Sequence, residues 1–166
     1  MTPYDDRVRD LLANAGAYHA AYYRADAFGG PSLYFHLRAL ETRNAPNAVA
    51  HLEYVYATLA SWGMHRMGRG GSKMLSFETF RASVAPVKDR ILHAQGFAPF
   101  AMDEERWAVL KEIFHGVHVM ASGTMLVGNT KVMHHMMPNI VPPIDRAYTL
   151  RFLRGNTNIR NEPDQE

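Results

Sequence analysis

The stretch Ala48-Val49-Ala50-His51-Leu52-Glu53-Tyr54-Val55-Tyr56-Ala57-Thr58-Leu59-Ala60-Ser61-Trp62 decides the fold class. Leu52, Val55, Tyr56 and Leu59 recur at three- and four-residue intervals, which places them on one face of an α-helix. Trp62 lies close to that face. Asn47 stands where an N-cap is expected, and Gly63 stands where a left-handed residue ends a helix.

The same reading extends outward. Upstream, Asp5 or Asp6 is expected to cap a helix running to about Tyr23, broken by Gly29-Gly30-Pro31. Ser32 then caps a segment from Leu33 to Glu41. Downstream, Ser76 caps a helix holding Phe77, Phe80 and Val84, and Pro86 interrupts it. Asp103 opens a helix with Glu104 and Glu105 in its first turn, where carboxylates suit the dipole. Its apolar stripe is Trp107, Leu110, Phe114 and Val117. Residues 122–130 are expected to turn, Lys131–Met137 to form a short helix, and Asp145 to cap a last helix from Arg146 to about Leu153. No segment alternates apolar and polar residues as a half-buried strand would. The expectation is an all-α protein, a compact bundle of about seven helices. Residues 1–155 would form one domain and residues 156–166 a polar tail.

Composition narrows the function classes. Apolar residues are 47% and charged residues 20% of the 166, which excludes a wholly disordered chain. Cys is absent, so disulfides, thiolate metal sites and a Cys nucleophile are excluded. No apolar run approaches the roughly 20 residues that span a bilayer, and Met1–Asp10 does not read as a secretory signal. A cytoplasmic protein with no membrane partner is expected. The net charge of +2 does not by itself announce a nucleic-acid binder. The charge is nonetheless uneven: residues 113–161 carry Lys131, Arg146, Arg151, Arg154 and Arg160 against the single acid Asp145. Arg66, Arg69 and Lys73 sit among Gly68, Gly70 and Gly71 in a second basic stretch. That composition lets backbone approach phosphates closely and equally suits a solvated turn. His115 and His118 could share a helix face, but carboxylates are sparse nearby and no metal or other cofactor is expected.

Two segments carry the chemistry. Val127-Gly128-Asn129-Thr130-Lys131-Val132 reads as a glycine turn opening a helix, a setting whose free amides suit an anion. Lys131 would lie in the first helical turn, where the dipole disfavours its ammonium. In Val141-Pro142-Pro143-Ile144-Asp145-Arg146, two prolines stiffen the approach to Asp145, which suits either a helix cap or a catalytic carboxylate.

Together these segments resemble the core motif of the helix-hairpin-helix DNA glycosylase superfamily. In that family a hairpin glycine contacts a DNA phosphate, a Lys follows it in the bifunctional members, and a Val-Pro-Val-Asp segment supplies a catalytic Asp. This chain has one extra residue between Gly128 and Lys131, and the likeness covers about 25 residues. It implies DNA as partner and base excision as activity, with Lys131 and Asp145 catalytic. It further implies phosphate contacts at Gly128, Asn129 and Thr130, with Arg146 and Arg151 in support. Trp62, Tyr22, Tyr23, Tyr54, Tyr56 and Tyr148 are candidates for stacking on bases. The segments also resemble a set of bacterial proteins sharing Lys131, His134, His135, Pro138, Pro142, Pro143, Asp145 and Arg146, a likeness that implies no function. The competing expectation is a non-catalytic all-α domain that binds nucleic acid or protein, with Lys131 and Asp145 serving only local structure.

Overall fold

In the computed structural model helix accounts for 68% of the described residues, so the all-α expectation holds. The structure describes residues 3–24, 30–68, 71–122, 125–145, 149 and 151–154. The helices are α1 (Pro3–Arg24), α2 (Pro31–Glu41), α3 (Val49–Ser61), α4 (Phe77–Val84), α5 (Lys88–Ala94), α6 (Glu104–Gly116), α7 (Leu126–Met136) and α8 (Arg151–Arg154). The strands β1 (Met67–Gly68) and β2 (Gly71–Ser72) form a small antiparallel hairpin between α3 and α4.

Contacts group the chain into two compact units. The first joins residues 1–30 to residues 144–166. In it α1 packs on α8, and Arg7 Nη1 donates to the Phe152 carbonyl at 2.8 Å. The second unit is Pro31–Pro143 and holds the core. Leu52, Val55 and Leu59 of α3 meet Phe80 and Val84 of α4, Ile91 of α5, Leu110, Ile113 and Phe114 of α6, and Val132, Met133 and Met136 of α7. All are buried.

Local chemistry explains most helix ends. Ser76 Oγ accepts from the Thr79 amide, and Asp103 accepts from the Arg106 amide, as side-chain caps do. Pro86 lies in a 3-10 turn, Ala85–Val87, that joins α4 to α5. Gly63 has φ +79°. The Gly63 amide bonds the Ala60 carbonyl and the Met64 amide bonds the Leu59 carbonyl. This paired closure ends α3 and needs a residue at ease in the left-handed region. It leaves Trp62 as the last residue before the chain turns away.

Four boundaries differ from expectation. Helix α2 begins at Pro31, where a missing amide costs nothing, so Ser32 is inside the helix and not its cap. Helix α3 is preceded by Ala48, which makes no side-chain cap, so Asn47 does not serve as one. Asp5 and Asp6 sit in the first turn of α1. The largest shift is at α7, which starts at Leu126 and takes up residues 126–130, expected to turn. The expected tail, 156–166, lies outside the described residues.

Candidate functional site

Helix α7 departs from the usual rule that a helix turns polar residues outward. Asn129, Thr130, Lys131 and His135 are all buried, along with Gly128, Val132, Met133 and Met136. Each polar side chain has a reason to be there.

Gly128 lets α7 lie close against the preceding segment. A Cβ at this position would come 2.4 Å from Met120 Cγ and 3.1 Å from Val119 Cγ1. Asn129 is 1% exposed, and its amide donates to the carbonyls of Phe114 at 2.7 Å and Val117 at 2.8 Å. It therefore satisfies carbonyls left over at the C-terminal end of α6. Thr130 Oγ1 donates to the Leu126 carbonyl one turn back, at 2.7 Å. The glycine turn expected at these three residues is helix instead, because their side chains gain more by packing and bonding to α6 and to α7 itself. Lys131 is thus the sixth residue of α7, beyond the first turn to which the dipole argument applied.

Lys131 is 9% exposed, and its Nζ lies 5.5 Å from the centre of the Trp62 ring, within cation–π range. The Trp62 indole is also 5.7 Å from the His36 ring and 5.5 Å from the His135 ring. Helix α2 supplies His36, the end of α3 supplies Trp62, and α7 supplies Lys131, His134 and His135. The rings of His36 and His134 are nearly parallel, at 8° and 6.2 Å.

The hydrogen bonds determine the tautomers. A carbonyl can only accept, so His135 Nδ1, 2.6 Å from the Lys131 carbonyl, carries the proton. His135 Nε2 is then an acceptor, and His36 Nδ1, 3.0 Å away, must donate to it. His134 Nδ1 donates to the Val141 carbonyl at 3.0 Å by the same logic. The Thr42 hydroxyl gives its hydrogen to the Arg38 carbonyl, so His51 Nδ1 is the donor in its 3.0 Å contact with Thr42 Oγ1. Burial favours the neutral form of all four imidazoles. It lowers His51 to about 4 and His135 to about 3, and moves His36 and His134 in the same direction. The centre is therefore the Lys131 side-chain nitrogen beside an indole, bordered by imidazoles that burial keeps uncharged at neutral pH.

The other sequence candidates fall elsewhere. Asp145 and Arg151 belong to the first unit, whereas Lys131 belongs to the second. The Asp145 amide donates to Thr149 Oγ1 at 3.1 Å, and Arg151 is the exposed first residue of α8. Arg146 and Tyr148 lie outside the described residues, as do the side chains of Tyr22 and Tyr23. The Tyr56 hydroxyl bonds the Leu75 carbonyl and its ring stacks near Phe80, so it serves the core. His115 and His118 are exposed, and no group of three metal-ligating residues occurs among the described residues. A concavity of about 470 Å³ lies beside α5 and the start of α6, lined by His93, Phe97, Ala101, Asp103, Arg106 and Val109. Its Arg106 is engaged by Asp103 and the Ala101 carbonyl, so that charge serves the α6 cap.

Sequence reasoning singled out Lys131 and Trp62 separately, missed His36 as their company and missed the burial of His51. The available signal was weak: His51 and His135 occupy positions on apolar helix faces. Compared with known families, known proteins and solved structures, the chain matches none. Among the described residues, no helix is long and apolar enough to cross a membrane.

Proposed function

We propose that the protein excises bases from DNA by an N-glycosylase and lyase chemistry in which Lys131 is the nucleophile. The observation that carries this reading is the burial of the Lys131 amine against Trp62. A lysine costs free energy at an interior helical position that an apolar residue could fill. Lysine amines withdrawn from water into apolar surroundings can serve as nucleophiles toward carbon electrophiles.

In this chemistry the Lys131 amine bonds to the sugar C1′ as the glycosidic bond breaks. The departing base takes the bonding electrons and a proton. The C1′–O4′ bond then opens, O4′ is protonated to a hydroxyl, and C1′ is left doubly bonded to the lysine nitrogen as a Schiff base. Reaching the sugar requires the nucleotide to be turned out of the helix stack. The Trp62 face is suited to a planar base, since every base offers a π surface. Val127–Val132 is like a glycosylase hairpin in sequence alone, since these residues are helical in α7; that likeness suggests DNA as the substrate class and would give Asp145 the stabilisation of a cationic sugar.

Borohydride trapping on duplexes bearing a panel of damaged bases tests the reading. The wild type is expected to yield a covalent protein–DNA adduct, and Lys131→Met, of similar shape without the amine, none. Asp145→Asn is expected to slow adduct formation at least about tenfold. A residue that only caps would be nearly silent to this change, because Asn caps as well as Asp. No adduct on any duplex overturns the proposal. A second reading, a non-catalytic domain binding nucleic acid or protein, is favoured by Asn129 and Thr130, whose side chains are spent inside the fold. It predicts DNA binding without trapping, or neither.

A further inference from the structure

The second unit divides its charge. Two long stretches of it contain no acid, residues 54–77 and 113–143. They are not adjacent in sequence, yet the fold joins them. The Leu75 amide bonds the Val119 carbonyl at 3.0 Å, the Ala121 amide bonds the Lys73 carbonyl at 2.8 Å, and Met74 pairs with Met120 in an isolated β-bridge. Trp62 meets Lys131 and His135 across the same junction. Apart from Glu53 near the start of α3, the acids of the unit lie on or beside the other helices, and there Arg38, Arg81, Arg90 and Arg106 hold Glu41, Glu78, Glu112 and Asp103 respectively. Cations and acids cancel on that side and do not on the other.

The hairpin of β1 and β2 rises from the acid-free side. Its base is tied down: the Lys73 amide bonds the Arg66 carbonyl, and His65 bonds the Ala60 carbonyl at the end of α3. The Arg66 guanidinium rests over Gly63, where a Cβ would lie 3.2 Å from its Nε. Arg66 and Lys73 are both exposed, and neither holds an acid among the described residues. Gly71 has φ +110° with nothing within 4 Å of a would-be Cβ, so this glycine serves an open backbone and not packing.

We infer that this hairpin base, through Arg66 and Lys73, is a phosphate-contacting surface that holds DNA beside the Trp62–Lys131 site. The inference rests on the base-excision reading for its choice of DNA. An ordered backbone carrying unneutralised cations, with glycines that let phosphates approach, matches what sequence-independent backbone contacts require. The hairpin follows Trp62 by only a few residues, so a strand seated on it is delivered to the same end of α3.

The test is fluorescence anisotropy of a labelled, undamaged duplex across a salt series. It compares the wild type, Arg66→Gln/Lys73→Gln, Lys73→Gln alone, and Lys111→Gln on the acidic side as a control. Circular dichroism melts confirm folding, and Lys73→Gln, which removes no side-chain hydrogen bond or ion pair among the described residues, stands in if the double variant melts early. Each lost contact is expected to reduce the slope of log affinity against log salt by about 0.9, so the double variant loses about 2 and the control nothing. Equal slopes and affinities for all variants overturn the inference while leaving base excision standing if trapping persists. Hairpin-dependent binding without trapping supports the surface and removes the catalytic reading. No duplex binding by the wild type, or binding only to anionic phosphatidylserine vesicles, overturns both.

Discussion

Helices α6 and α7 are neighbours of similar length built on opposite plans. Of its 13 residues α6 buries only Leu110, Ile113 and Phe114, all in its C-terminal half. It opens on Asp103, Glu104 and Glu105 and obeys the dipole and the amphipathic rule. Helix α7 buries eight of 11 residues, four of them polar or titratable: Asn129, Thr130, Lys131 and His135. Where a helix satisfies every local rule, it serves the fold. Where it buries polar groups at a cost, the groups either hold a neighbour, as Asn129 holds α6, or serve a site, as we propose for Lys131.

The largest stability effects should treat the two helices alike, since both bury apolar side chains fully. Ile113→Ala on α6 and Met136→Ala on α7 are each expected to cost about 2–5 kcal/mol in urea unfolding. A loss below about 1 kcal/mol at Met136 would show that α7 is not part of the core.

Asn129→Ala is expected to cost about 1–3 kcal/mol, because it strips the Phe114 and Val117 carbonyls of their donor while leaving them buried. The loss should appear as faster amide exchange at the end of α6. Unchanged exchange there would separate the two helices and undo the idea that α7 caps its neighbour.

Acid should act through the imidazoles around α7. Their folded values lie below the ordinary 6.5, so the unfolded chain binds more protons between pH 6.5 and about 4. Stability is full above pH 6.5 and falls on acidification through that window, by up to about 1.4 kcal/mol per pH unit for each group titrating in the unfolded state alone. His51→Gln, which cannot titrate, should flatten the pH profile of Tm. An identical profile would mean that His51 is not held neutral.

Lys131→Met sharpens the contrast from the other side. A buried amine replaced by an apolar chain of similar shape should leave stability unchanged within about 1 kcal/mol or raise it, as at sites kept for function against stability. A loss above about 2 kcal/mol would make Lys131 structural. The smallest effect belongs to α6. Trp107 was expected in its buried stripe but is 54% exposed, because the first turns of α6 extend past the core. Trp107→Ala should change stability by less than about 0.5 kcal/mol.

The helices, the caps at Ser76 and Asp103, the closure at Gly63 and the break at Pro86 were legible in the chain, because each depends on partners within a few residues. Lys131 and Trp62 were also visible as unusual residues. What they do together was not. His36 and His135 are 99 positions apart, Asn129 reaches back to Phe114 and Val117, and the two acid-free stretches are joined by the backbone pairing around Met74 and Met120. Helix α7 begins five residues before Lys131 because its side chains find partners on α6, which local propensity does not record. Sequence by itself determined where this chain coils, since helix formation answers to near neighbours. Tertiary structure alone decided which polar groups are buried and which cations stand unpaired, since burial and charge neutralisation depend on residues that only folding brings together.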